Sequence, residues 1–508
     1  MAASAVSYDE IQLKLPYEIK YLCDLKIIKE INDHGKIFIT GVIPEGKKDG
    51  CMQDASLNDI IEVSQKDGIN LFKGVITRVE VKSVRDIYYI HIEGVSCTYE
   101  LDIKKTKRSF QNKDMTYNEL VNKVLKNYPD ADFIDTATDG KETGKFIIQY
   151  DETDWEFLKR MATHFNAPLV SDFNNNKPTF WFGIPEGDSK GNLEEYHYTV
   201  NKSIGTYREL SENHVKEIEE KEFTYYEIET DKLFSIGDKV QYKNINLVVY
   251  KITSEIINGV LMHLYVLAPE KGLSQSLILN DNVFKASVEG KVIDVQEDKV
   301  RIHLEIDDEQ NKEEAYWFPY STFYTSEGST GWYCMPEIGD FVKLYFPTDR
   351  EEEAIVVGSV RRTKKGDKID DPDVKYFRTK FKKEKMYDKK QLVISAKDDK
   401  VLIRLHEDSG IEIFSEQLPI FEETEAICRA FDINPLGLIS SGSMLICTPH
   451  GSKVIDALHQ RGIPATIVGK IITEGKYLIS QGKKTPLKPL ERDELIVAIE
   501  KIKSLQSN

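Results

Sequence analysis

Between about residue 36 and residue 269, apolar and polar residues alternate in short runs bounded by turn residues. A period of two is the signature of half-buried antiparallel strands. KIFITGVIP (36–44), NLFKGVITRVEVKS (70–83) and IYYIHIEGVSCTYEL (87–101) are expected as three successive strands of one antiparallel barrel, with Gly74 and Gly94 where strands bend. Two segments break the period. MTYNELVNKVLKNYP (115–129) has Thr116 as a helix N-cap with Glu119 three residues on, Leu120, Val121, Val124 and Leu125 at helical spacing, and Pro129 past the end. TDWEFLKRMATHFNAP (153–168) repeats these devices, with Thr153 or Asp154 as cap and Pro168 as stop. Strands resume in PTFWFGIP and in DKVQYKNINLVVYKITSEIINGVLMHLYVLAP, which predicts a second barrel closing near Pro269.

With 508 residues, the chain is long enough for three to five structural units at roughly 100 to 200 residues each. Its net charge of −17 argues against nucleic acid or an anionic membrane as the main partner, since both reward clustered Lys and Arg. The six cysteines are scattered, without a C-x-x-C pair, so reduced, mostly buried thiols are expected rather than a zinc site or disulfides. The N-terminal residues lack the basic and apolar regions of a signal peptide, and nowhere do 18 apolar residues run together. The chain is therefore expected to be made in the cytosol.

The stretch STGWYCMPEIGDFVKLYF (329–346) packs two turns, an aromatic residue and a strand into little length. Pro336 and Gly339 are expected to set the turns, Gly339 with a positive φ. Asp340 should bond backbone amides, and Trp332 should plug the end of a small barrel. Val342, Leu344 and Phe346 then face one side of a strand, and Lys343 and Tyr345 the other. Matching strands lie upstream in ASVEGKVIDVQEDKVRIHLEI (286–306) and AYWFPYSTFYTS (315–326).

This order carries a resemblance. EGVSCTYELDIKKTKRSFQNKDMTYNELVNKVL, YDETDWEFLKRMATHFNAPLVSD and FWFGIP, followed by GWYCMPEIGDFVKLYFPTDREEEAIVVGSVR, resemble the hub and small OB-type barrel of VgrG-like and Pvc8-like contractile injection system spikes, the late control D proteins of phages. The resemblance covers roughly the first four fifths of the chain. It implies a hub of two β-barrels with inserted helices over residues 1–280 and an OB-type barrel over 283–362.

Residues 361–390 hold thirteen Lys and Arg against six Asp and Glu, a net of 13 − 6 = +7 in an acidic protein. They read as a solvated basic linker (363–390), with a phosphate- or membrane-binding patch as the alternative. QLVISAKDDKVLIRLHEDSGIEIF (391–414) alternates but is too short to bury a face alone. Residues 391–416 are therefore expected to be a short β-spike of three copies about one axis, packed by Val393, Leu402, Ile403, Ile411 and Ile413.

Residues 417–508 read as an α/β domain, with helices at 422–431 and 452–461 and strands at 445–447 and 465–471. NPLGLISSGSMLI (434–446) and GIPATIVGKI (462–471) resemble the C-terminal domain of AIR synthase-related proteins, but the half that supplies ATP- and metal-binding carboxylates in that family is absent. The loop Ser440, Ser441, Gly442 and Ser443 reads first as an ordinary turn between a helix and a strand, with a phosphate cradle of backbone amides as the alternative.

There is no G-x-S-x-G, H-E-x-x-H or Walker loop. His303 and Cys97 read as packing residues, and the pairs Asp151/Glu152 and Asp307/Asp308 as solvated turn carboxylates. The fold class expected is mainly β, with multi-domain β-barrels, an OB-type barrel and a short trimeric β-spike, plus a C-terminal α/β domain. The resemblance implies a structural baseplate hub and spike protein without catalytic residues, cofactor or metal. It would be a homotrimer that adapts a threefold spike to a sixfold tube, and it would pierce the target cell envelope. Its partners would be tail tube and baseplate proteins, a spike-tip protein being a further candidate, and no nucleic acid. It would assemble in the bacterial cytoplasm and then form part of a tail-like particle. The alternatives are a spike-borne effector whose C-terminal domain binds a nucleotide or phosphorylated ligand, and a monomeric β-barrel adhesin.

Overall fold

The structure is a computed structural model describing residues 6–47, 50, 56, 59–194, 197–213, 215–326, 330–362, 371–396, 401–406, 410–438, 444–488 and 494–506; of residues 401–406 and 504–506 only the backbone is described. The fold is mainly β, and the chain divides into two compact units, Met1–Arg362 and Thr363–Asn508.

The first unit is built on one twelve-stranded sheet. Ten strands follow in the order Ile11–Lys14, Ile60–Gln65, Asn70–Val84, Ile87–Val95, Lys36–Ile43, Tyr21–Glu30, Ile245–Ile257, Val260–Ala268, Thr224–Thr230 and Tyr198–Lys202. Lys239–Tyr242 adds to Ile245–Ile257 and carries Ser189–Asn192 in turn. The alternating runs thus form strands as expected, but the two predicted barrels share one sheet, welded where Lys251–Glu255 pairs with Lys26–Glu30. The first half curls back on itself. Ser7 bridges Val260 and the Leu261 amide donates to the Val6 carbonyl at 2.8 Å, just before the chain enters Ile11–Lys14. Each half has its own core. Leu25, Ile27, Ile37, Ile61, Phe72 and Ile92 fill the first, and Phe234, Leu247, Val249, Ile252, Tyr265 and Leu267 the second. The hairpin between the two longest partners of the second half turns on Asn258 (φ 51°) and Gly259 (φ 82°), the left-handed pair that a two-residue turn with the natural strand twist requires.

A helical insert follows the first half. The strand expected over 87–101 ends at Val95, and Cys97–Asp102 forms a 3-10 turn instead. Both predicted helices are present, Tyr117–Leu125 and Asp154–Thr163, and each starts with a reciprocal capping box, Thr116 with Glu119 and Thr153 with Glu156. Leu120, Val121, Val124 and Leu125 are all buried, against Trp155, Phe157, Leu158 and Met161 of the second helix among others. A ladder between Lys105–Phe110 and Ile147–Thr153 and a small sheet of Leu169–Ser171, Thr179–Phe182 and Asp132–Asp135 complete this core.

The small barrel has five strands in the order Phe318–Pro319, Lys299–Leu304, Ser287–Gln296, Phe341–Tyr345 and Ile355–Val360, and a parallel bridge from Tyr320 to Val356 closes the ring. Val342, Leu344 and Phe346 are buried on its inner face as the alternation predicted. The expected strand over 315–326 shrinks to Phe318–Pro319.

The second unit departs further from expectation. Two strands, Lys375–Arg378 and Glu384–Tyr387, occupy the span predicted as linker and form a four-stranded sheet with Gln391–Ser395 and Val401–His406. Charge had masked their alternation. Gly410–Phe414 does not join that sheet; it lies between Gly469–Ile472 and Lys476–Ser480, with Lys483–Pro486 beyond. The three runs expected to make one spike are thus divided between two sheets. Helices Glu422–Phe431 and Gly451–His459 lie close to their predicted spans, and Glu494–Gln506 adds a third. The strand predicted at 445–447 is absent, with Met444, Leu445 and Ile446 exposed, and the one at 465–471 is reduced to Gly469–Ile472.

Candidate functional site

The most heavily constrained region of the first unit is the junction of the helical insert with the small barrel. It begins in the sequence FII. Ile147 is buried in the helical core, while its neighbours Phe146 and Ile148 are buried in the barrel core. Alternation along one strand therefore places successive side chains in two different cores. The Phe146 ring meets Phe318 edge-on at 4.9 Å and stacks on Phe346 at 6.4 Å.

A buried charge network lies beside it. Arg160, on the second helix, is 2% exposed. Its Nε and Nη2 donate to Glu152 Oε1 and Oε2 at 2.8 and 2.9 Å, its Nη1 to Glu351 Oε1 at 3.2 Å, and its Nη2 also to the Ile148 carbonyl at 2.8 Å. Glu351 comes from the small barrel, and its Oε2 accepts from the Ile148 amide at 3.0 Å. Burial alone would lower the Arg160 guanidinium, but Glu351 and Glu152 outweigh it and hold the group above its usual value. Burial raises the Glu152 carboxyl against the pull of Arg160. A planar fork with five donors can satisfy two carboxylates and a carbonyl together, which an ammonium cannot.

A second tie lies on the other strand of the ladder. The Ser109 amide and Oγ donate to Asp307 Oδ1 and Oδ2 at 2.6 and 2.5 Å, the Gln111 Nε2 donates to the Ile302 carbonyl at 3.1 Å, and the Tyr316 amide donates to Gln111 Oε1 at 3.2 Å. Burial raises the Asp307 carboxyl. Glu152 and Asp307 are thus corrected from solvated turn carboxylates to desolvated, partnered ones. Apolar interdigitation and paired charge together join the insert and the barrel.

Behind the insert, His34 bridges the first sheet half to the same helical core. Its Nδ1 lies 2.9 Å from Thr98 Oγ1 and its Nε2 3.2 Å from Asp102 Oδ2, and its ring packs on Trp155 at 4.6 Å. Ser96, Thr98 and Ser171 exchange hydroxyl hydrogen bonds of 2.8 to 3.1 Å. The order hydroxyl, imidazole, carboxylate resembles a nucleophilic triad, but all three hydroxyls and the imidazole are buried, leaving a substrate no approach. The cluster is a lock between layers.

Of the residues singled out in the sequence, Gly339 has φ 100°, Asp340 Oδ2 accepts from the Glu337 amide at 2.9 Å, and Pro336 is buried. Trp332 is corrected: at 54% exposure it plugs nothing, because Phe146, Phe318 and Phe346 already fill the barrel. Val393 is buried in the first sheet of the second unit; Ile411 and Ile413 are half-buried on an inner strand of the other, where they flank the buried Glu412. Leu402 and Ile403 lie on a strand whose side chains are not among those described, and Ser440, Ser441, Gly442 and Ser443 lie outside the described residues. Among the described residues, no group of three or more His, Cys, Asp or Glu could hold a metal, and no helix is long and apolar enough to cross a membrane. The sequence reading missed Arg160, Glu351 and Phe146. The unbroken FII run was the available signal, since a strand buried on both faces loses its alternation.

The comparisons with known proteins bear on this same region. Residues 59–165 match the family described as phage tail baseplate hub (GPD), and residues 288–360 match the type VI secretion system/phage-baseplate injector OB domain. No curated protein matches the chain. Among solved structures, a type VI secretion component from E. coli, described as similar to the T4 tail proteins gp27 and gp5, aligns at 14% identity over 69% of this chain and 100% of its own, with a TM-score of 0.49. A chain of the half-lidded Francisella PdpA-VgrG complex aligns at 8% identity over 78% of this chain and 85% of its own, TM-score 0.49. A 43 kDa tail protein of prophage MuSo2 from Shewanella oneidensis aligns at 14% identity over 53% and 99%, TM-score 0.41. The two family matches meet at the junction, one ending just past Arg160 and the other spanning Glu351.

Proposed function

We propose that this chain is the structural hub and spike protein of a contractile phage tail or tail-like injection system. The observation that carries the reading is the junction: Phe146 and Ile148 within the barrel core, beside Arg160 clamped between Glu152 and Glu351. A part that passes thrust from a tube to a spike needs its hub and barrel to move as one body, and a desolvated ion network over a shared core resists both shear and separation.

On this reading the chain forms a homotrimer in which the halves of three twelve-stranded sheets offer six similar faces to a sixfold tube. The residues after Arg362 lead into the spike, where Val393, Leu402 and Ile403 are proposed as packing residues; Ile411 and Ile413 belong instead to the sheet that pairs with Gly469–Ile472 and Lys476–Ser480. Its partners are tail tube and baseplate proteins and a spike-tip protein. It is assembled in the bacterial cytoplasm and ends in the particle. Residues 417–508 are an appended α/β module akin to the C-terminal domain of AIR synthase-related proteins; the helices Glu422–Phe431 and Gly451–His459 favour this. Mass measurement of the purified full chain at micromolar concentration tests the proposal. Three times the chain mass is expected, and a strictly monomeric species would overturn the trimer.

A further inference from the structure

We propose that an aromatic ribbon on the small barrel, residues 321–326 and 330–338, is a contact surface for a second copy of this chain. The inference rests on the hub reading in one respect, that copies gather about a common axis. Five large apolar side chains crowd this ribbon, Phe323, Tyr324, Trp332, Tyr333 and Ile338, with exposures from 54% at Trp332 to 101% at Phe323. At about 200 Å² for a whole aromatic side chain, they leave roughly 700 Å² of apolar surface in water. Summed over the ribbon, this approaches the ~800 Å² that one partner gives to a stable interface.

The ribbon is preformed. Thr325 bridges Gly331, the Trp332 amide donates to the Tyr324 carbonyl at 2.8 Å, the Ser326 amide to the Thr330 carbonyl at 3.1 Å, and Thr322 Oγ1 to the Trp332 carbonyl at 2.6 Å. Tyr333 Oη ties its outer strand to the barrel through the Glu297 carbonyl at 2.8 Å. Gly331 has φ 136°, and a Cβ there would stand 2.7 Å from the Tyr324 carbonyl oxygen, so only glycine lets the two arms meet. An ordered backbone carries little further entropy cost on association. The span 320–338 has two charged residues in nineteen, Glu327 and Glu337, against 30% charged for the whole chain. That depletion is the composition of an interface core.

The root of the ribbon points to the occupant. Tyr320 bridges Val356 and the Ser321 amide donates to the Val356 carbonyl at 2.8 Å. The ribbon is therefore anchored to Ile355–Val360, the last strand before the first unit ends at Arg362. An axis that gathers the residues after Arg362 from several copies also gathers these strands, and the ribbons with them.

The full-length chain with a photoreactive benzoylphenylalanine at position 323 provides the test. Irradiation is expected to give a covalent adduct of two chains, mapped by mass spectrometry to a peptide of the other copy. A Phe323→Ser/Tyr333→Ser variant is expected to raise the concentration of half-dissociation at least tenfold. A trimeric chain that forms no adduct, in which the variant dissociates as wild type does, overturns the ribbon contact and leaves the hub reading intact. A monomeric wild type overturns both. An adduct to a different protein in purified particles, without a chain-to-chain adduct, overturns the second copy as occupant. If the variant fails to fold, crosslinking decides alone, since it replaces a side chain that is already fully exposed.

Discussion

Replacing Arg160 by methionine keeps the apolar stem of the side chain and removes the charged guanidinium, which makes it the most direct probe of the junction. Four hydrogen bonds of 2.8 to 3.2 Å disappear, and two carboxylates, Glu152 and Glu351, are left desolvated side by side. Breaking one side of such a buried network costs about 3–5 kcal/mol. At about 2.1 cal/mol/K per residue, the unit Met1–Arg362 has an unfolding entropy of roughly 0.8 kcal/mol/K, so Tm should fall by about 4–7 °C. The pH dependence has a definite sign. The Glu152 carboxyl is raised in the folded protein, so the fold favours its protonated form, and removing Arg160 takes away the influence that opposes the rise. The deficit is thus full at pH 7 and shrinks as the pH falls toward 5. A triple change that also makes Glu152 and Glu351 glutamine should recover part of the loss at pH 7. Calorimetry at both pH values reads all of this. A variant melting within 1 °C of wild type at pH 7, or one whose deficit grows on acidification, would refute the network as the tie between hub and barrel.

Gly339→Val forces a β-branched residue to φ 100° and should cost about 1–3 kcal/mol, whereas Lys343→Gln should stay within about 0.5 kcal/mol; thermal melts compare them. Trp332→Ala should cost the isolated chain under about 1 kcal/mol, not the 3–5 of a core truncation, because most of its surface is already in water. Thr116→Ala and Thr153→Ala should each cost about 0.5–2 kcal/mol in chemical denaturation through loss of a capping box.

What was legible in the sequence was local. The two capping boxes and the alternating runs could be read because each signal and its consequence lie within a few residues. The weld of Lys26–Glu30 to Lys251–Glu255 could not, since no local pattern names a partner more than 200 residues away. Trp332 misled because tryptophan is usually mostly buried, a statement about averages that a ribbon of exposed aromatics contradicts. Residues 375–387 misled because lysines hid a hairpin that needs only backbone pairing and a few half-buried side chains. Arg160 and Glu351 stand 191 positions apart, and nothing in either neighbourhood announces the other.

The strand that divides its side chains between two cores also limits how such a chain can be recombined. Phe146 and Ile148 belong to the small barrel although the barrel's own strands begin only at Ser287. A graft that exchanged residues 283–362 alone would strand two large apolar side chains and leave Arg160 short of Glu351, while the incoming barrel would lack part of its interior. The natural cut for shuffling is after Arg362, where one compact unit ends and the next begins. Diversity should therefore accumulate downstream of that point, while residues 59–165 and 283–362, which share a core, should be inherited as one piece.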